Sequence, residues 1–190
     1  MVTTLPKQTG NYDMKPKKFI VWLFVVSSTI MFGGWTSYYL VFSGSKGKGH
    51  GLVLPDVFIY STLVLVASSI CLFLASRAQR KSTALQKRYL GLTFILGIVF
   101  AYMQFSAWSQ MSLGGAYFIN NNAGISMIYV FTFFHCLHII AGLCLIASAF
   151  FGAGKVTAER NAYRMEIASI FWHFIDILWI YLYVFLLLNR

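Results

Sequence analysis

Five stretches of this chain are too long and too apolar to be elements of a water-soluble domain: Phe19–Phe42, Leu52–Ser76, Tyr89–Met111, Ser126–Phe151 and Ile167–Leu188. At 1.5 Å rise per residue each makes a helix of roughly 33 to 39 Å, enough to cross a bilayer's hydrocarbon core with some tilt. Backbone polar groups find no partner in lipid, so spans of this kind must be helical. The predicted fold is therefore all-α: a polytopic membrane protein, a bundle of five transmembrane helices. Composition agrees, with 58% hydrophobic and only 11% charged residues, where a soluble domain carries about a quarter charged. Residues 1–18 are read as a cytoplasmic N-terminal segment and 19–190 as the five-helix transmembrane domain. The first span, preceded by eighteen mostly polar residues, is too long for the apolar core of a signal peptide, so it reads as a retained helix.

The net charge of +10 sits in short clusters between the spans, which fits loop retention and anionic lipid headgroups rather than nucleic acid. Twelve Lys and Arg lie on one side: Lys7, Lys15, Lys17 and Lys18, then Arg77, Arg80, Lys81, Lys87 and Arg88, then Lys155, Arg160 and Arg164. Lys46, Lys48 and Arg190 lie on the other. The positive-inside rule thus predicts a cytoplasmic N-terminus and a periplasmic C-terminus, in a bacterial cytoplasmic (inner) membrane. Cys71, Cys136 and Cys144 fall inside apolar spans, form no CxxC pair, and read as small packing residues.

Chemistry, if any, must lie with the polar residues inside the spans, because intramembrane acids and histidines are costly. The fifth span carries Glu166, Ser169, His173 and Asp176 at spacings of three, four and three, one stripe down a helix. The fourth carries Thr132, His135, His138 and Gly142, largely on one face. With the two helices antiparallel, Asp176 lies about 15 Å and His138 about 20 Å from the cytoplasmic ends, which allows a His–Asp contact across the pair. The simplest reading makes these residues hydrogen-bonded glue within the bundle. Three sharper readings stay open: a metal on the HxxH, a haem between His135 or His138 and His173, and a proton path through Glu166, His173 and Asp176. Each lacks members. Zinc wants three or four ligands and His50 stands in an outer loop, while the first three spans offer no buried acid or base except Asp56 near an outer end. Gly97, Ala101, Gln104 and Trp108 share a face of the third span, Ser27-Ser28 sit in the first, and Ser61-Thr62 and Ser68-Ser69 in the second; small residues there let helices approach, and Gln104 can hydrogen-bond across.

Phe134-His135-Cys136-Leu137-His138-Ile139-Ile140-Ala141-Gly142 resembles the FHGLHVxxG motif of haem-copper oxidase subunit III, and Trp172-His173-Phe174-Ile175-Asp176-Ile177-Leu178-Trp179 resembles its WHFVDVVW. Glu166 stands seven residues before His173, as in that family. Gly97 through Gln104 is similar to its GxxFxxxQ, Ser61 through Ser68 to its NTxxLLxS, and Leu23 through Gly34 follows its first shared helix. The matches run in family order through all five spans. The resemblance implies a bacterial five-helix form of cytochrome c oxidase subunit III: an accessory chain with no catalytic residue, metal or cofactor of its own, in a complex whose haem and copper sit on other subunits. It implies that subunit I is the direct partner, with subunit II and further oxidase subunits nearby and a larger respiratory supercomplex as an extension. It also implies bound phospholipid in a cleft, and support for proton uptake and sustained turnover in aerobic respiration. His135, His138, Glu166, His173 and Asp176 become structural or lipid-cleft residues, and Gln104, Gly97, Gly142, Ser27 and Ser28 helix-packing residues. A quinol oxidase or a nitric oxide reductase with a similar subunit is the alternative; a b-type haem protein and an independent transporter come after. Two positions depart from the family: Ser28 and Ala107 stand where it often has glutamates, which removes two proton-carrying groups.

Overall fold

The structure, a computed structural model, describes residues 14–46, 55–119 and 123–189. It has five helices: α1 (Met14–Lys46), α2 (Val57–Ala78), α3 (Thr83–Leu113), α4 (Ala123–Gly152) and α5 (Ala158–Leu188). Each is long and apolar enough to cross a membrane. Residues 1–13 and the segment holding Lys48, His50 and Leu52 lie outside the described residues, as do Asn120-Asn121-Asn122 and Arg190.

Most helices run past the predicted spans. The basic stretch expected as a twelve-residue loop, Arg77–Arg88, is helical at both ends, leaving residues 79–82 as the link. Likewise residues 153–157 alone separate α4 from α5, so Arg160, Arg164 and Glu166 ride on an extension of α5. The physical reason is that hydropathy marks where lipid ends, not where a helix ends: Ala84, Leu85, Gln86, Lys87 and Arg88 are all strong helix formers. In the opposite direction, α2 begins at Val57, with Asp56 at its cap position rather than inside a span. The α4–α5 turn closes through Gly154, whose φ of +80° suits glycine, while Lys155 N–H and Val156 N–H both reach the Gly152 carbonyl. Gly115, at φ +82°, ends α3 in the same way, with Ala116 N–H donating to Met111 O at 3.0 Å.

Four helices form a closed ring in which α2 packs on α3, α3 on α4, α4 on α5 and α5 on α2. Among the described residues the remaining helix, α1, packs on α4 and α5 and makes no close backbone approach to α2. Lipid is as apolar as leucine, so helix association here rests on shape and hydrogen bonds rather than on water exclusion. Two tryptophans of α5, seven residues apart, supply both at the centre of the ring. Trp172 is fully buried and its indole N–H donates to Ser68 Oγ of α2 at 3.0 Å. Trp179, also fully buried, donates to Thr62 Oγ1 of α2 at 2.9 Å. The Trp172 ring lies against Gly97 of α3 and Gly142 of α4, where a Cβ would come within 2.7 Å and 2.8 Å of it. Only glycine lets the two backbones close on that ring. Around Trp179 stand Phe100 at 5.0 Å, edge to face, and Phe58 at 5.8 Å between ring centroids.

Further polar pairs close the ring. At the basic end, the amides of Gln86 and Asn161 bond reciprocally, at 3.3 and 3.1 Å, joining α3 to α5. Trp108 N–H donates to Thr132 Oγ1 at 2.8 Å between α3 and α4. Outside the ring, Phe19, Ile20, Ile30, Ile59, Leu63 and Ile95 are exposed, which suits a surface solvated by lipid.

Candidate functional site: a polar-floored groove along the fifth helix

The two histidines of α4 serve different neighbours. His138 turns toward α1: its Nε2 is 3.0 Å from Ser28 Oγ and its Nδ1 is 2.7 Å from the Phe134 carbonyl oxygen. A Nδ1–H donating to that carbonyl leaves Nε2 to accept the Ser28 hydroxyl. Phe24 and Phe32 of α1 flank the ring at 5.5 Å. His135, one turn earlier, faces the ring interior, 4.9 Å from Trp179 and 5.7 Å from Phe100, and neither ring nitrogen has a hydrogen-bond partner.

The contact that helix depth allowed between His138 and Asp176 is not formed. The α5 stripe faces α2 and α1 rather than α4: His173 Nδ1 lies 2.6 Å from Ser69 Oγ of α2, and Glu166 is ion-paired with Lys18 of α1. Helical spacing located each stripe on its own helix, but α5 has neighbours on three sides, and the stripe turned to the other two. The three imidazoles thus have different partners: His138 has Ser28, His173 has Ser69, and His135 lies against Trp179 and Phe100. No group of three His, Cys, Asp or Glu side chains converges among the described residues. Cys71, Cys136 and Cys144 are free thiols.

Cavities open along one side of α5. Near the basic end one of about 1250 Å³ lies between Lys18 of α1 and the end of α2, rimmed by Lys18, Arg77, Arg80 and Lys81 with Glu159 and Glu166 on the α5 side. In the middle a second, of about 440 Å³, lies between α2 and α5, where Ser69, His173 and Asp176 are set among Val66, Phe73 and Ile180. Towards the end of α5 a further 400 Å³ is lined by apolar side chains and Tyr181, whose hydroxyl is 2.6 Å from Thr36 Oγ1 of α1. Asp176 is 5% exposed and both carboxyl oxygens lack a hydrogen-bond partner.

Of the residues singled out for packing, Gly97 and Gly142 clamp Trp172, and Gln104 donates to Ser61 Oγ at 3.3 Å, joining α3 to α2. Ser28 is buried on His138, whereas Ser27 faces outward. Trp172 and Trp179 are site-forming residues that no polar motif marks; their signal is a seven-residue repeat on α5, matched by hydroxyls at Thr62 and Ser68 on α2. Arg77, Arg80 and Lys81, markers of topology in the sequence, also rim the basic cavity.

A family model described as cytochrome c oxidase subunit III matches residues 7–189, through all five helices. The chain belongs to the cytochrome c oxidase subunit III family. Among its relatives, cytochrome bo(3) ubiquinol oxidase subunit 3 of Buchnera aphidicola subsp. Acyrthosiphon pisum is 28% identical over 98% of this chain and 95% of its own length. Cytochrome c oxidase subunit 3 of Thermostichus vulcanus is 29% identical over 86% of this chain and 83% of its own. Cytochrome bo(3) ubiquinol oxidase subunit 3 of Pseudomonas aeruginosa is 29% identical over 85% and 79%. Ser28 partners His138 with a neutral hydroxyl, and Ala107 is fully buried in α3.

Proposed function

We propose that this chain is the accessory, non-catalytic subunit III of a bacterial terminal oxidase of the cytochrome c-oxidising type. The observation that carries the reading is the family match over residues 7–189, together with interior polar residues that are spent on joining helices. In this reading the chain packs beside the catalytic subunit I in the cytoplasmic membrane, N-terminus inward, stabilises it, and supports proton uptake and sustained turnover. Of the polar set, His138, His173 and Glu166 hold helices in place through Ser28, Ser69 and Lys18, His135 packs inside the ring, and Glu166, His173 and Asp176 line a lipid-accessible cleft. A phospholipid headgroup sits at the basic mouth formed by Lys18, Arg77, Arg80 and Lys81, where four cations exceed two carboxylates. Haem and copper belong to partner subunits.

A second reading keeps the subunit and changes the electron donor. It is favoured by the ubiquinol oxidase subunits among the relatives, one of which aligns over nearly the full length of both chains. Gentle detergent purification through a tag on this chain tests both, with mass spectrometry of the eluate and a reduced-minus-oxidised haem spectrum. Copurification with a large multi-helix subunit and oxidase haem bands is the expected result, and a copper-binding subunit II in the eluate selects the cytochrome c form. A colourless single chain, recovered where the cell's oxidase survives, refutes the assignment.

A further inference from the structure

At the end of the bundle away from the basic cavity, α3, α4 and the link between them enclose a site of different chemistry. Its cavity, of about 380 Å³, is lined by Trp108, Phe118, Tyr129, Val130, Phe133 and Phe134, all but one of them aromatic. The polar handles of these rings are already spent. Trp108 N–H donates to Thr132 Oγ1, and the Tyr129 hydroxyl donates to the Ala116 carbonyl at 2.6 Å. The walls therefore offer ring surface and no free hydrogen-bond donor, and among the described residues no charged side chain lines them.

The rings are held as a set. Trp108 lies 6.4 Å from Tyr129 and 6.5 Å from Phe133, and Phe118 lies 6.0 Å from Tyr129, between ring centroids. Phe134 rests on Trp35 of α1 at 4.7 Å, and Ser126 Oγ pins the Phe118 carbonyl at 2.6 Å. A ring face is the negative pole of the aromatic quadrupole and attracts a cation within about 6 Å of its centroid. With centroids this close, one cation seated among them can lie within that distance of several rings at once. A primary ammonium would carry three N–H donors into walls with no acceptor to spare. A trimethylammonium group carries none, and its methyls pack on ring faces as apolar groups do.

Depth favours a lipid headgroup over an acyl chain. Trp108 stands three residues before Met111, where the predicted span ends, so the cavity lies within about 5 Å of the hydrocarbon boundary. Acyl chains are served as well by aliphatic side chains, and deeper on the same helix Ile95 and Ile98 are exposed to them. We infer that this aromatic cage binds the trimethylammonium headgroup of a phosphatidylcholine, in the leaflet opposite the basic cavity. Trp108 and Tyr129 form its fixed wall, and Phe118 and Phe133, both about half exposed, its open rim. The cage works in the same way whichever oxidase the chain serves.

The test places the full chain in nanodiscs of phosphatidylcholine, phosphatidylethanolamine and phosphatidylglycerol, in equal amounts and with identical acyl chains. Native mass spectrometry then weighs the lipids the protein retains. One tightly held phosphatidylcholine is expected, favoured over phosphatidylethanolamine about tenfold, because the primary ammonium loses its hydration without replacement. Phe118→Leu and Phe133→Leu keep the apolar volume and remove a ring face, so each should lower that retention about two- to fivefold. Tyr102→Leu, which removes a 74% exposed ring of α3 outside the cage, should leave it unchanged. Equal retention of phosphatidylcholine and phosphatidylethanolamine, or a choline preference untouched by both phenylalanine variants, would overturn the inference. The preference of the unaltered chain decides the matter even where a variant fails to accumulate. Soluble phosphocholine, titrated against the lipid-free chain in detergent, should bind far more weakly than the lipid; binding as tight as the lipid's would make a free quaternary ammonium the ligand and overturn the lipid assignment.

Discussion

Gly142→Ala probes the packing that the whole ring depends on. A Cβ at this position would stand 2.8 Å from Trp172 Cε3, 2.9 Å from Ile175 Cδ1 and 3.0 Å from Trp172 Cζ3. Carbon atoms in comfortable contact are about 3.5 to 4.0 Å apart, so the indole must retreat by roughly 0.7 Å or more. It has little room. Trp172 is fully buried, Gly97 backs it from α3 with a virtual Cβ distance of 2.7 Å, and its N–H is bound to Ser68 Oγ at 3.0 Å. Overpacking of this kind costs about 1 to 3 kcal/mol, a change of about 5- to 150-fold in the folding equilibrium. The control is Gly33→Ala on α1, where nothing lies within 4 Å of the added methyl. There the gain in helix propensity makes the change neutral or stabilising by up to about 1 kcal/mol. Folding equilibria of the purified chains, titrated from mild detergent into dodecyl sulfate and followed by tryptophan fluorescence, should separate the two variants. Adding Trp172→Phe to Gly142→Ala should cost less than the two single costs together, since the smaller ring removes the clash. Equal midpoints for Gly142→Ala and Gly33→Ala would refute the claim that glycine is needed for this close approach.

Other consequences are equally direct. Trp179→Phe keeps an aromatic ring beside Phe100 but strips Thr62 of its donor, and should destabilise the chain by about 1 kcal/mol in the same titration. Ser28→Ala leaves the buried Nε2 of His138 without its partner and should loosen α1 by about 1 to 3 kcal/mol, read as faster protease cleavage at the α1 end. Lys18→Ala removes an ion pair whose side chains are 40% and 49% exposed, so its effect should stay below about 1 kcal/mol and fade with salt. In a cysteine-free background, a cysteine at Gln79 should be shielded from a membrane-impermeant thiol reagent in intact cells, and one at Gly115 should react; the reverse pattern would invert the proposed topology.

Much of the site was legible in the residues, and the part that was not has one cause. Glu166, His173 and Asp176 could be placed on one face because helical period alone sets the angle of a residue about its own axis. Gly97 and Gly142 could be marked as points of close approach because small residues matter wherever helices meet in lipid. What met at those points could not be read. A span that is apolar all round has no hydrophobic face to show which neighbour it chooses, so the pairing of Asp176 with His138 was as acceptable to the sequence as the arrangement found.

The chain's own chemistry therefore determined that there would be five membrane-spanning helices, that they would be joined by short links, and which polar residues would share a stripe. Hydrocarbon admits backbone only when its hydrogen bonds close locally, and local rules can be read along a chain. Tertiary structure decided that Trp172 would wedge between Gly97 and Gly142, that His138 would turn to Ser28, and that α1 and α2 would stand apart over the polar face of α5. Those outcomes depend on interlocking shape between segments far apart in the chain, 110 residues for Ser28 and His138, where propensity and hydropathy carry no information.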